Sequence, residues 1–123
     1  MEYHAHIYWK NPSERKQAMA IREWLDENNF RLGRVWDQEI GPHTAPMYQV
    51  IYDSSSKDLI EKFLKVNSHG MSILLHEAIN DDLRDHTDGA RWLGKELPLK
   101  LYVFEEKANL SLFLRILLIL ILR

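Results

Sequence analysis

The chain has 123 residues, 46% hydrophobic and 28% charged, with a formal net charge of -2 and no cysteine. That size and mixture describe one ordinary globular domain, and the near-balanced charge excludes the basic face that a nucleic-acid binder needs. Without cysteine there is no disulfide, thiolate nucleophile or thiolate metal site, so any metal must be held by imidazole, carboxylate or water.

Tyr3 to Trp9 alternates as a first strand, placing His4 and His6 on one face and Ala5 and Ile7 on the other. The residues MEYHAHIYWK lack the positive-then-apolar pattern of a secretory leader, and a cytoplasmic location is expected. Asn11-Pro12 ends the strand, and Ser13 is the expected N-cap of a first helix. Ala18, Ile21, Trp24 and Leu25 recur along it at helical spacing, up to Asn28-Asn29.

Phe30 to Ile40 holds a second strand, with VWDQEI as its core, and the segment from Gly41 to Pro46 is a turn. MYQVIYD reads as the third strand. Ser54 to Ser56 cap a second helix whose apolar stripe is Leu59, Ile60, Phe63, Leu64 and Val66, closed at Gly70 by a residue suited to positive φ. Met71 to His76 is the fourth strand, Asn80 to Gly94 a short acidic helical piece, and KLYVF a fifth strand. This β-α-β-β-α-β order makes a ferredoxin-like α+β sandwich, an antiparallel sheet with both helices on one face.

The C-terminal stretch LSLFLRILLILIL, at 110 to 122, departs from the rest in composition. Its 13 residues are interrupted by Arg115 and fall short of the roughly 20 that span a bilayer. It is expected to pack on the domain or on a second subunit; a reading-frame artefact and a membrane anchor are the alternatives. Residues 1–107 are therefore read as the single domain and 108–123 as an apolar tail.

The six histidines are informative by position. With the first strand central, parallel to the third and antiparallel to the fourth, His4, His6, His43 and His76 are expected on one rim of the sheet, and His86 can fold back onto it. By parity His76 shares its face with Ser72 and Leu74, while Met71, Ile73 and Leu75 suit the helix-covered face. Neutral imidazole ligates zinc, iron, copper and nickel alike. No HExxH or calcium-loop pattern narrows the choice. His69, beside Gly70, reads as structural or surface. In the acidic segment, Asp85-His86 pairs a carboxylate with an imidazole that it could orient, and Trp92 and Leu93 read as core anchors.

Four blocks in order carry a resemblance: YHAHIY at 3 to 8, GPH at 41 to 43, SILLH at 72 to 76 and DDLRDHTDGARWLG at 81 to 94. They are similar to the motifs of the DOPA 4,5-dioxygenase family, small ring-opening enzymes, over residues 2 to 99. Where that family commonly has proline after the turn histidine and after the strand-four histidine, this chain has Thr44 and Glu77. The resemblance implies a dimeric α+β barrel and extradiol cleavage of a catechol such as DOPA by non-haem Fe(II) and O2. Zinc or another divalent metal could occupy the site in a recombinant preparation.

On this resemblance His6, His43 and His76 are the expected metal ligands, with His4 and His86 as base or supporting groups; His4 and His6 could exchange roles. A completing carboxylate is not evident, Glu39 and Glu77 being the candidates. The expected partners are a small catechol and O2, and a second copy of the chain over an open sheet face bearing Tyr8, Trp36, Tyr48 or Tyr52; neither nucleic acid nor membrane is expected. A non-enzymatic ligand-binding module on the same barrel, or another metal-dependent activity on a phenol, is the competing reading. The histidine-dense rim favours an enzyme.

Overall fold

A computed structural model describes residues 1–122, with Ala108 and Leu122 described by their backbone alone. In chain order the elements are β1 (Glu2–Tyr8), α1 (Pro12–Glu27), β2 (Arg31–Leu32), β3 (Met47–Asp53), α2 (Lys57–Asn67), β4 (Ile73–Glu77), α3 (Asp82–Asp85), β5 (Ala90–Leu93) and α4 (Tyr102–Leu122). The strands form one sheet in the order β2-β3-β1-β4-β5, and every neighbouring pair is antiparallel. This is the ferredoxin-like arrangement expected from the element order.

One step of that expectation is corrected: β1 runs antiparallel to β3, from Glu2 opposite Asp53 to Tyr8 opposite Met47. The crossover through α1 returns β2 in the direction of β1 and leaves a gap between them. Only a strand of reversed direction, β3, fills that gap, and α2 then carries the chain to β4 on the other side of β1. The start of β1 therefore lies beside the ends of both β3 and β4. His43, which precedes β3, has to reach the histidines by another route.

Alternation along the strands sorts the side chains into two layers. Ala5, Ile7, Tyr48, Val50, Ile73 and Leu75 meet Ala18, Ile21 and Leu25 of α1 and Ile60 and Leu64 of α2 in the main core. Tyr8, Met47 and Leu74 face the other way and are covered by Trp36, Ile40, Trp92, Leu97 and Leu99. Tyr48 and Tyr52 thus belong to the helix-covered core, not to the open face. Tyr48 donates its hydroxyl hydrogen to the Ala18 carbonyl at 2.6 Å and Tyr52 donates to Glu61 at 3.0 Å.

Several element boundaries also differ from expectation. The N-cap of α1 is Asn11, whose Oδ1 accepts the Glu14 N–H at 2.8 Å, with Pro12 at the first helical position; proline suits that position because its missing N–H would have no helical partner. Only Arg31–Leu32 of the expected second strand pairs regularly. Beyond it Trp36 bridges Met47 singly, and exposed Asp37 forms a two-pronged ion pair with Arg15 at 2.7 and 3.0 Å. In α2, Ile60 and Leu64 are buried while Leu59 and Val66 face solvent. Gly70 does adopt positive φ, and so does His69.

The fifth strand is Ala90–Leu93, paired with Ile73 to His76 of β4. It lies inside the segment expected to be helical, of which only Asp82–Asp85 is helix. KLYVF, the expected fifth strand, instead turns into α4 through the Val103 and Phe104 N–H groups, which reach back to the Lys100 and Leu101 carbonyls. The place beside β4 was already taken. α4 crosses the expected boundary at residue 107 and includes the apolar tail, except Arg123, which lies outside the described residues. Among the described residues no helix is long and apolar enough to cross a membrane.

Candidate metal centre

β1 supplies His4 and His6 to the face away from α1 and α2, and register brings His4 directly opposite His76 of β4. His43 arrives differently: after the Trp36 bridge the chain turns back across this face, and His43 pairs with Ile40 and with Leu99 through single bridges. His86 follows α3 as its C-cap residue. The five rings form one cluster, with centroids 4.5 Å apart for His6–His43, 5.2 Å for His6–His76, 4.8 Å for His76–His86 and 5.1 Å for His4–His76. His69 is not part of it.

Two sets of three imidazoles have nitrogens within 4.8 Å of one another, His4–His6–His76 and His6–His43–His86. His6 belongs to both, so the expected trio of His6, His43 and His76 is divided between them. By burial that trio does stand apart, at 3%, 5% and 3% exposed.

The hydrogen bonds at the remote nitrogens orient the rings. His76 Nδ1–H donates to the Glu77 carbonyl at 2.9 Å and His86 Nδ1–H to the Asp82 carbonyl at 2.7 Å, which leaves each Nε2 as a lone pair. His4 Nε2–H donates to the Glu2 carboxylate at 2.8 Å. His43 Nδ1 shares a hydrogen with the Tyr8 hydroxyl at 2.7 Å. His6 Nε2 lies 3.0 Å from His76 Nε2, and its Nδ1 is buried without a partner among the described residues. Such outer partners fix the tautomer and aim of metal-ligating histidines.

Electrostatics keep the three buried rings neutral. Burial, then the neighbouring imidazoles, lowers His43 from 6.5 to about 4. Burial does the same to His76, offset in part by its bond to the Glu77 carbonyl. His6 is pushed well below the ordinary range, first by burial and then by His43, His76, His86 and His4. Burial raises the Tyr8 hydroxyl, which stays protonated. Neutral, converging imidazoles with an unpartnered buried nitrogen are what a borderline divalent cation requires, so the residues present fit a metal.

The rings line a cleft of about 300 Å³ together with Glu2, Gln49, Asn80, Asp85 and Phe104. Neither candidate carboxylate is among its lining residues. Glu39 is paired with Lys100 at 2.8 Å, and Glu77 lines a separate depression with Tyr3, Arg84 and Arg91. Asp85 does line the cleft but does not orient His86: its Oδ2 accepts the Ile79 N–H at 3.3 Å, its Oδ1 has no partner among the described residues, and burial raises its pKa. Tyr8, Gln49 and Phe104 escaped the sequence reading as site residues. Parity with His4 and His6 was the available signal for Tyr8; for Phe104 there was none.

Comparison with known proteins agrees with this architecture. A profile described as the Dopa 4,5-dioxygenase family matches residues 3–103. The chain is 29% identical over 110 residues to an uncharacterised 21.2 kDa protein of Botryotinia fuckeliana, covering 81% of this chain and 60% of the relative. It is 30% identical over 109 residues to a DOPA 4,5-dioxygenase of Amanita muscaria, covering 81% of this chain and 48% of that protein. The chain thus spans about half the length of the curated relatives it matches. A crystal structure of a candidate dioxygenase from Nostoc punctiforme superposes with a TM-score of 0.80 at 34% identity, covering 85% of this chain and 91% of the other. With its fold and four motif blocks lying inside the matched span, the chain belongs to the Dopa 4,5-dioxygenase family.

Proposed function

We propose that the chain opens the ring of a catechol such as DOPA by extradiol, 4,5-type cleavage, with non-haem Fe(II) and O2. The observation that carries this reading is a cleft of about 300 Å³ on a member of this family, lined by five imidazoles of which His6, His43 and His76 are buried and neutral. These three would hold the metal, with His6 as the donor common to both triads. Bound there, Fe(II) supplies a redox-active centre with positions open to the two reactants.

The remaining chemistry belongs to the protein's own groups. His4, tethered to Glu2, and His86, tethered to the Asp82 carbonyl, flank the ligands and are placed to take a catechol hydroxyl proton. Gln49 and Asn80 offer amides to a polar substituent. Tyr8 keeps the His43 ring in its plane. We place this activity within residues 1–107 and the tail 108–123 outside it. The functional form is a homodimer, a reading supported by the apolar surface that α4 exposes.

The all-nitrogen triads fit zinc as well as iron, so the test starts from metal-free protein. Anaerobic Fe(II) loading followed by oxygen uptake with DOPA, caffeate and catechol should give a yellow ring-opened product. Zn(II)-loaded protein and His6→Ala and His76→Ala variants should give none. Metal binding without oxygen uptake on any catechol would leave only a ligand-binding role and overturn the reading.

A further inference from the structure

We infer that Phe104 is the substrate-facing wall of the cleft and sets its preference for a flat aromatic ring; this rests on the ring-cleavage reading above. Among the described residues that line the cleft, Phe104 carries the one benzene ring, and Pro42 and Ala78 are the other apolar members. Everything else there is imidazole, amide or carboxylate. A catechol needs polar contacts at its two hydroxyls and an apolar surface against its ring, and Phe104 is the group that supplies an aromatic face.

The chain spends several contacts on putting Phe104 there. Thr44 donates to the Pro98 carbonyl at 2.6 Å, and the Lys100 N–H donates to the Pro42 carbonyl at 2.8 Å. These bonds lay residues 98 to 100 along the loop that carries His43. Four residues on, the Phe104 ring packs on His86 with centroids 4.9 Å apart, and Lys107 pairs with Asp82 at 3.2 Å. Residues 98 to 107 are thus a strap between the two histidine-bearing segments that arrive from outside the sheet. Phe104 is half-buried: one part of the ring rests on His86 and the rest borders the cleft. It lies one residue past the family match, which ends at residue 103.

The test uses the full chain loaded with Zn(II), which binds without turnover, titrated with 4-nitrocatechol and followed by absorbance. Loss of the aromatic wall in Phe104→Ala should weaken binding about five- to tenfold, with Phe104→Leu intermediate and Phe104→Tyr close to the parent. Zn(II) affinity, measured by competition with a chromophoric chelator, should be unchanged in all three. Equal 4-nitrocatechol affinity across the set would overturn the assignment. So would a parallel loss of Zn(II) affinity, which would make Phe104 only a support for His86. Wild-type protein that neither binds 4-nitrocatechol nor consumes oxygen with catechol overturns both this and the ring-cleavage reading; oxygen consumption with an indifferent Phe104→Ala overturns this one alone.

Discussion

His43 and His76 are held neutral because their protonation would place charge in a buried cluster of imidazoles. Their pKa values fall from 6.5 in the unfolded chain to about 4 in the folded one. Between those values the unfolded chain takes up protons that the folded chain refuses, so folded stability is full above about pH 6.5 and drains away as the pH falls toward 4. Thermal unfolding of chelator-treated protein from pH 8 to 4 should therefore show a flat upper region and a decline starting near 6.5. His76→Gln should shallow that decline; an unchanged profile in the variant would show that the cluster does not drive it. His6 adds to the effect in the same direction, since burial and then the rings around it lower its own pKa.

At the scale of elements, α1 and α3 each begin on a side chain that accepts one of their first N–H groups, whereas Ser56 at the start of α2 makes no such bond. In α1 that work falls to Asn11, whose side chain accepts the Glu14 N–H, while Ser13 sits inside the first turn. Replacing Asn11 by alanine should cost about 1 kcal/mol, a drop of about 4 °C in Tm for a chain of this size. Ser13→Ala should cost nothing measurable by the same calorimetric scan, and the reverse ranking would return the cap to Ser13. Strand pairing follows a similar economy of space. β4 offers one free edge, and β5 takes it because Leu93 enters the main core while Trp92 closes the opposite layer against Tyr8, 5.8 Å between ring centroids. The later KLYVF segment is left to begin a helix.

For the whole molecule, the unresolved imbalance is α4. Ten large apolar side chains from Leu110 to Ile121 are between 41% and 69% exposed, and a helix apolar on all sides is stable in water only when something surrounds it. The full chain should accordingly sediment as a species heavier than its monomer, and a mild non-ionic detergent should return it to monomer. A monomer in plain buffer at micromolar concentration would contradict this and remove the support for a homodimer. The sheet itself gives a weaker drive to pair than its open face suggested. The layer over Tyr8 and Leu74 is closed by the chain's own Trp36, Ile40, Leu97 and Leu99.

The sequence alone determined which residues share a face. Alternation is a property of two consecutive peptide units, so His4, His6 and Tyr8 had to project together, and Leu74 and His76 had to follow the same rule on β4. Element order determined the four-strand ferredoxin-like core and the two helices that cover it, but not the fifth strand, and the motif blocks determined the family. Tertiary structure decided the rest. The direction of β3 depended on which gap the first crossover left open, and that reversed the path by which His43 reaches the cluster. Apart from the neighbouring pair His4 and His6, the division of five imidazoles into two triads around His6, the hydroxyl of Tyr8 on His43 and the ring of Phe104 on His86 all join residues at least 18 positions apart. Contacts of that kind depend on where the loops and the C-terminal strap close over the sheet, and no local periodicity encodes them.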